Sequence, residues 1–253
     1  MTIPLPALDA TLANTPRLQA RNSAAFWAAT GRSRGHEVIR RRGFLAVAGD
    51  ERAGLRVLIQ EPELTAEELA EIAGLAAAAA GPVDMEDPFS ATDLAHLRMG
   101  SWQMPVMLRL PAPVEAPAIA VAPVADDADL RGAERAVIES FGLGRFEPYR
   151  PGELFPQALL DEPGVALFTA RVDGEVAGAC VTVAANGFAS HYWVGTTAAA
   201  RSKGIGRAVM LGSLAPLAQV PVTLTASKLG VPLYEKLGFA AAAPATWWSS
   251  NRA

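Results

Sequence analysis

The chain has 253 residues, of which 51% are hydrophobic and 19% are charged, so it can build a buried core and wholesale disorder is excluded. Its formal net charge of -4 argues against a protein that mainly neutralises nucleic-acid phosphates or lies on an anionic membrane. The charge is uneven, however: from Val176 to the C-terminus there are six basic residues and one acidic residue, a local net charge of +5. This local reversal has to be explained by any functional interpretation.

The cysteine and histidine content limits the chemistry and the compartment. The single cysteine, Cys180, excludes an intrachain disulfide and a cysteine cluster, which is typical of the reducing cytoplasm. His36, His96 and His191 lack metal-ligand spacing, so we expect no metal site. Residues 1–21 do not resemble a signal peptide, and no apolar run is long enough to cross a bilayer. We therefore expect a cytoplasmic protein with no membrane partner, and its excess of arginine and alanine over lysine is typical of a bacterial coding bias.

The first half of the chain predicts two helices, a set of strands and a short helix. In chain order these are a helix at Asn22–Thr30, strands at Val38–Arg42, Phe44–Ala48 and Leu55–Ile59, a helix at Thr65–Ala80, a strand at Val83–Glu86, a short helix at Asp93–Arg98 and a closing strand at Val106–Leu110. Thr65 and Glu68 form a capping-box pattern at the start of the long helix. A proline-rich seam follows at Pro111–Pro123, in which Ala118–Val121 suits an edge strand.

The second half repeats this order of elements with clearer signals. The predicted elements are a helix at Asp126–Phe141 ended by Gly142, a shorter helix at Glu153–Leu160, strands at Val165–Val172, Glu175–Ala184 and Phe188–Val194, a helix at Gly206–Leu217, a strand at Val222–Ala226, a helix at Pro232–Lys236 and a last strand with Trp247 and Trp248. Asp173-Gly174 and Asn186-Gly187 are signals of tight hairpins. The repeated order predicts a tandem duplication, with domains at residues 1–112 and 113–253.

A strand-to-helix turn in the basic half carries the first chemical motif. Arg201-x-x-Gly204-x-Gly206 follows the third strand of the meander and opens a helix. Glycines at such a turn let the backbone approach a ligand, and the first helical turn presents free N–H groups at the positive end of the helix dipole. Together with Lys203 and Arg207, this turn suits a pyrophosphate group. The alternative is a plain glycine turn with solvated basic residues.

Other motifs for phosphate binding or nucleophilic catalysis do not occur. The sequence contains no G-x-x-x-x-G-K-[ST] loop and no G-x-S-x-G elbow. Gly142-Leu-Gly144 lacks a third glycine and follows a predicted helix instead of a strand, so it is not a dinucleotide fingerprint. A P-loop nucleotidase, a dinucleotide enzyme and an α/β-hydrolase are therefore unsupported.

A second motif lies downstream, at Leu233-Tyr234-Glu-Lys-Leu-Gly238-Phe239. Alone, a tyrosine one turn before a helix-ending glycine is compatible with an ordinary core aromatic. Together with the loop at residues 201–206, however, the sequence resembles the GNAT acetyltransferase superfamily, whose coenzyme A loop reads [QR]-x-x-G-x-[GA] and whose later signature reads L-Y-x-x-x-G-F. The sequence departs from the family at Ser227 and Gly230, where asparagine and alanine are usual.

The resemblance implies a fold and a cofactor. The fold is α+β (mixed α/β), with two tandem GNAT-like domains, each a mixed, mostly antiparallel sheet flanked by helices, the first degenerate. Acetyl-CoA would be the acyl donor, and no metal would be needed. Backbone groups of Val194 and Thr196 would hold the pantetheine arm, and the amides of residues 203–207 the pyrophosphate. The implied cofactor-binding residues are Val194, Gly195, Thr196, Arg201, Ser202, Lys203, Gly204, Ile205, Gly206, Arg207, Ser227, Gly230 and Tyr234.

The resemblance also implies direct attack of a neutral amine on the thioester. Tyr234 would be the acid that protonates the leaving thiolate, since a phenol of pKa ~10 can donate to a thiolate of pKa ~8.5. His191 is the candidate base, on the strand that carries the acyl site, with a reference pKa of ~6.5. The alternatives are that His191 is satisfied within the sheet, and that Glu153, a water relay or no dedicated base serves.

The first half is not expected to bind coenzyme A. It lacks the glycine pair, and glutamates at positions 61, 63, 67 and 68 lie where a phosphate would need positive charge. Its role would be packing, shaping the acceptor cleft or self-association into a homodimer. We therefore expect an acetyl-CoA-dependent N-acetyltransferase acting on a primary amine of a small molecule, peptide or protein, with no nucleic acid as partner. The alternatives are a non-catalytic acyl-CoA-binding module and an acyltransferase with a longer acyl donor or a thiol acceptor.

Overall fold

The computed structural model describes residues 9–250. The first eight residues of the segment at 1–21, which was predicted not to be a signal peptide, lie outside this range, as does the basic Arg252. The first half contains α1 (Thr15–Ser33), β1 (Glu37–Arg40), β2 (Phe44–Ala48), β3 (Leu55–Ile59), α2 (Ala66–Ala78), β4 (Val83–Asp87) and β5 (Gly100–Arg109). The second half contains β6 (Val121–Pro123), α3 (Asp127–Phe141), β7 (Val165–Val172), β8 (Glu175–Ala185), β9 (Phe188–Thr196), α4 (Ile205–Leu214), β10 (Val222–Thr225), α5 (Val231–Lys236) and β11 (Ala240–Ser249). The predicted mixed α/β fold is confirmed.

Local signals positioned most elements correctly. Thr65 and Glu68 form the predicted capping box at the start of α2. Gly142 ends α3 in the left-handed conformation, with a φ of 60°. Asp173 and Asn186 have positive φ values in the two hairpins that join β7, β8 and β9, as the turn chemistry requires.

Several predicted boundaries are wrong. The predicted helix at Glu153–Leu160 is a 3₁₀ turn at Gln157–Asp161, because Pro156 disfavours the helical conformation at the residue before it. The predicted edge strand at Ala118–Val121 lies at Val121–Pro123, where it pairs with β7. The closing strand of the first half was predicted to begin at Val106 but begins at Gly100, since Pro105 is accommodated inside it, opposite Pro244 of β11.

All the strands join one eleven-stranded sheet, in the order β1-β2-β3-β4-β11-β5-β10-β9-β8-β7-β6. The strands of the two halves interleave at its centre. β11, the last strand of the second half, lies antiparallel between β4 and β5 of the first half. In turn β5 pairs with β10 of the second half. Each half therefore supplies a strand that separates two strands of the other half.

The helices cover the sheet on two faces. α1 lies across one face and shares a core cluster with α3 and with strands of both halves, through Phe26, Val137, Leu58 and Val181. α4 packs on the opposite face, where Val209 contacts Cys180 of β8. The two halves thus share a buried face beneath α1. Within residues 9–250, no helix has the length and apolar character needed to cross a membrane.

Candidate active site

Each half contains one pair of parallel strands, and only the strands of the second half diverge from each other. β3 and β4 pair at four positions, from Leu55 opposite Val83 to Leu58 opposite Glu86. β9 and β10 pair at only two positions, where Ala189 and Ser190 lie opposite Val222 and Thr223. β9 then continues to Thr196 without a partner on that side. The second half therefore has a V-shaped opening that the first half lacks.

A bulge in β9 lies at the edge of this opening. Trp193 has a φ of 54°, and the register with β8 shifts between Tyr192 and Gly195. Residues 193 and 194 have no paired position on β8. A bulge of this kind leaves backbone groups unpaired and redirects side chains. Val194 consequently has no paired position on β8, and its role in an acyl site stays a prediction.

The loop that follows β9 leads into free backbone amides at the start of α4. Gly204 caps α4 in the left-handed conformation, with a φ of 80°, where a side chain would be strained. The first bond of the helix runs from the Ala208 N–H to the Gly204 carbonyl, at 3.0 Å. The amides of residues 204–207 are therefore left without a helical acceptor, at the positive end of the helix dipole. Gly206 faces the opening, because a Cβ there would lie 3.5 Å from Thr196 Oγ1 and 3.7 Å from Leu233 Cδ2.

Two contacts hold the start of this loop in place. The Thr197 amide donates to the Ala177 carbonyl at 3.0 Å. The Ala198 amide donates to Glu139 Oε1, at the end of α3, at 2.7 Å. Both anchors precede Arg201, so they fix the position at which the chain leaves β9 and enters the loop.

The basic residues around the loop fall into two groups. Arg201, Lys203 and Lys228 are exposed, so their charges are available to a ligand at the surface. Arg207 instead forms an ion pair with Glu115, from the proline-rich seam. Part of its charge is therefore neutralised by the protein, which leaves Arg201, Lys203 and Lys228 as the exposed cations.

Tyr234 lies on α5 beside the opening and is buried, with 8% of its surface exposed. Its ring packs against Gly230, where a Cβ would lie 2.7 Å from Tyr234 Cε2, so glycine suits this position better than the family's usual alanine. Among the described residues, the Tyr234 hydroxyl has no hydrogen-bond partner. Burial and the proximity of Cys180 raise the pKa of Tyr234 to about 12. The phenol is therefore protonated at neutral pH.

Ser227, the departure from the family's asparagine, has a local structural contact. Its Oγ accepts a hydrogen bond from the Gly230 amide at 3.2 Å, next to the start of α5. The serine therefore supports the turn that carries Tyr234. The same hydroxyl retains a hydrogen to donate, so a cofactor contact there stays a prediction.

His191 lies on the opposite face of β9 from Tyr192, which stacks on α1. Its Nε2 lies 2.8 Å from Ser213 Oγ on α4, and the ring is buried. Burial and the charge of Arg109 lower the pKa of His191 to about 3. The imidazole is neutral at physiological pH but would bind a proton weakly. The other candidate base, Glu153, is held in an ion pair with Arg52.

A buried polar network on the α1 face is absent from the sequence prediction. Ser23 Oγ lies 3.0 Å from both carboxylate oxygens of Glu86 and 3.2 Å from the Tyr192 hydroxyl. Gln19 Nε2 lies 3.1 Å from Ser23 Oγ and 3.4 Å from the Tyr192 hydroxyl. Burial raises the pKa of Glu86 to about 7, although Ser23 and Arg56 act in the opposite direction. The only sequence signal for this network is an acidic residue inside the strand Val83-Asp-Met-Glu-Asp87.

The fold and the site together define a mixed-sheet protein in which a glycine turn and the first turn of α4 lie beside separated parallel strands. Residues 136–246 match the family model described as an acetyltransferase (GNAT) domain. This segment of the chain is therefore similar to GNAT domains, and the family resemblance of its two motifs is confirmed.

Solved structures extend the likeness of fold to nearly the whole chain. A GCN5-related N-acetyltransferase from Kribbella flavida has 19% identity and a TM-score of 0.61, covering 91% of this chain and 94% of that one. A putative GNAT-family acetyltransferase from Novosphingobium aromaticivorans has 16% identity and a TM-score of 0.57, covering 84% and 89%. A tandem GNAT protein from the clavulanic acid biosynthesis pathway has 13% identity and a TM-score of 0.55, covering 98% and 97%. No curated protein matches the chain.

Proposed function

We propose that the protein is an acetyl-CoA-dependent N-acetyltransferase that acetylates a primary amine of a small molecule, peptide or protein. The observation that carries this proposal is the opening between β9 and β10, bordered by the glycine turn of α4. The first half has neither feature, since β3 and β4 stay paired and glutamates follow β3. One acyl-CoA site per chain is therefore proposed, in the segment of residues 113–253.

The proposed cofactor site divides by chemistry. The free amides of residues 204–207, together with Arg201 and Lys203, suit the pyrophosphate of coenzyme A. Ser202, with a φ of 60°, and Gly204 shape the turn that presents these amides. Val194, Gly195 and Thr196 offer the strand edge for the pantetheine arm, as the family resemblance implies. Ser227, Gly230 and Tyr234 would border the site from α5.

The proposed chemistry needs an oxyanion donor and an acid. When acetyl-CoA is bound, its thioester supplies the electrophilic carbonyl that a neutral amine attacks. The unpaired N–H at the bulge of β9 would donate to the oxygen that becomes negative. Tyr234, protonated at neutral pH, would donate its proton to the departing thiolate. His191, buried against Ser213 with its lowered pKa, is less suited to accept the amine proton.

Isothermal titration calorimetry with acetyl-CoA tests the site. Gly206→Val should weaken binding, because its methyl groups would enter the space beside Thr196 and Leu233. We expect the dissociation constant to rise by about tenfold or more, which corresponds to a loss of at least about 1.4 kcal/mol of binding free energy. Gly144→Val is the matched control, because a Cβ at Gly144 would have no neighbour within 4 Å.

Two results would count against the proposal. A folded wild-type protein that binds no acetyl-CoA would rule out the cofactor site. Binding without acetyl transfer to any amine in a panel of amino acids, polyamines, aminoglycosides and peptides would favour the non-catalytic acyl-CoA-binding module. Tighter binding and faster transfer from longer acyl-CoA donors would instead change the donor assignment.

A further inference from the structure

We infer that Glu86, on a strand of the first half, is the terminal proton acceptor of the acyl transfer, and that Tyr192 and Ser23 relay the amine proton to it. This inference rests on the proposed function. It gives the first half a part in the chemistry and not only in packing.

The hydrogen bonds of the network define the direction of the relay. Ser23 has one hydroxyl hydrogen, and both oxygens of the Glu86 carboxylate lie 3.0 Å from Ser23 Oγ. An ionised carboxylate only accepts, so Ser23 must donate to Glu86. The Tyr192 hydroxyl, 3.2 Å from Ser23 Oγ, must then donate to Ser23. Gln19 Nε2 donates to one lone pair of the Tyr192 oxygen at 3.4 Å. The other lone pair is left to accept a proton from a substrate, and each further transfer runs towards Glu86.

Tyr192 is adjacent in sequence to the proposed acyl site. It directly precedes Trp193, the bulge residue at the proposed acyl site. Its ring stacks on Phe26 of α1, with ring centroids 4.2 Å apart, so it faces α1 and not α4. The glycine turn of α4, which we propose as the pyrophosphate site, lies on the opposite face. The proposal therefore places the attacking amine on the face that carries the Tyr192 hydroxyl.

Further polar groups line this face beneath α1. Thr223 pairs with Ser190, whose hydroxyl donates to Gln19 Oε1 at 3.2 Å, so Thr223 faces α1 as well. The Thr223 hydroxyl and both polar side-chain atoms of the fully buried Asn22 have no hydrogen-bond partner in the described part of the chain. Buried polar atoms are rarely left without a partner, so this face suits a polar substrate that accepts the acetyl group.

The proton balance of the proposed reaction gives Glu86 its role as a proton acceptor. An ammonium R–NH3⁺ becomes an amide R–NH–CO–CH3, and so loses two protons. The first passes through Tyr192 and Ser23 to the Glu86 carboxylate, which becomes a carboxylic acid and leaves a neutral amine. The amine forms the C–N bond, the C–S bond breaks, and the second proton goes to the thiolate through Tyr234. Glu86 returns its proton to solvent before the next turnover.

The surroundings of Glu86 allow it to exchange a proton near neutral pH. The charged group that faces it from β3 is Arg56, and Asp87 adjoins it on β4. From α1 it meets Gln19 and Ser23, and from β9 Tyr192 acts on it through Ser23. Its register partner on β11 is the uncharged Trp247. The pKa of about 7 that results suits a group that accepts a proton from an ammonium.

Acetyl transfer to ethylamine and to hydroxylamine, followed by thiol release, tests the relay. Ethylamine is protonated at pH 7, whereas hydroxylamine is already neutral. Glu86→Gln should lower kcat/KM for ethylamine about 100-fold and that for hydroxylamine less than about threefold. With ethylamine, the loss of kcat/KM below about pH 7 in the wild type should disappear in the variant. Glu63→Gln, an exposed carboxylate in the same half, is the control and should behave as the wild type.

A second variant and a spectroscopic signal separate the relay from a structural role. Tyr192→Phe keeps the stacked ring and removes the hydroxyl, and should reproduce the selective loss with ethylamine. Infrared difference spectra should show a protonated carboxyl band that titrates near pH 7 and is absent in Glu86→Gln. Equal losses with both amines, no transfer to either amine by the wild type, or an unchanged band in Glu86→Gln, would overturn the relay. Absence of acetyl-CoA binding would instead overturn the proposed function itself.

Discussion

Glu86 couples the stability of the fold to pH. Burial raises its pKa to about 7 from an ordinary value of 4.5, so between these pH values the folded chain holds a proton that the unfolded chain releases. The stability from this group is fully present below about pH 4.5 and is lost as the pH rises through about 7. Between pH 5 and pH 8, the free energy of unfolding of the wild type should fall relative to Glu86→Gln, by at most about 3 kcal/mol. Urea unfolding across this pH range measures the difference, and parallel pH profiles would contradict the shifted pKa.

Tyr234 is the residue whose proposed role is easiest to separate from packing. Tyr234→Phe keeps the ring against Gly230 and Phe239 and removes only the hydroxyl, which has no partner among the described residues. We expect kcat to fall by about 10²-fold while the dissociation constant for acetyl-CoA changes little. Tyr149→Phe, which removes a hydroxyl bonded to Glu134, is the control and should keep its kcat. An unchanged kcat in Tyr234→Phe would remove the tyrosine from the acid role.

At the scale of single elements, the sequence predicted what short-range chemistry determines. The hairpins at Asp173-Gly174 and Asn186-Gly187, and the glycine turn before α4, depend on residues adjacent in sequence. The bulge at Trp193 was not predicted, because the residue with a positive φ is a tryptophan and not a glycine. It accompanies close packing of β9 on α3, where a Cβ at Gly195 would lie 2.1 Å from Ser140 Oγ. Such close packing depends on α3, a helix that is distant from β9 in sequence.

At the scale of the whole molecule, the exchange of strands explains why the relay could not be predicted. The tandem order of elements is visible in the sequence, but the position of β11 between β4 and β5 is set by pairing over more than a hundred residues. Three strands separate Glu86 on β4 from Tyr192 on β9, and Ser23 of α1, which packs across them, connects the two side chains. A periodicity argument treats the two halves as separate sheets, so it cannot bring these side chains together.

The interleaved strands should make the two halves one cooperative unit, although the boundary at residue 112 stays a prediction. Residues 113–253 expressed alone would leave β10 without β5, and β11 without both neighbouring strands. We expect that fragment to lack native tertiary structure and to recover it when residues 1–112 are added. The intact chain cut at the exposed seam between Glu115 and Ala116 is the matched control, because it keeps every strand, and it should stay folded.

Urea unfolding of the intact chain should give one coincident transition by tryptophan fluorescence and circular dichroism. Two separate transitions, or a natively folded fragment of residues 113–253, would show that the halves fold independently.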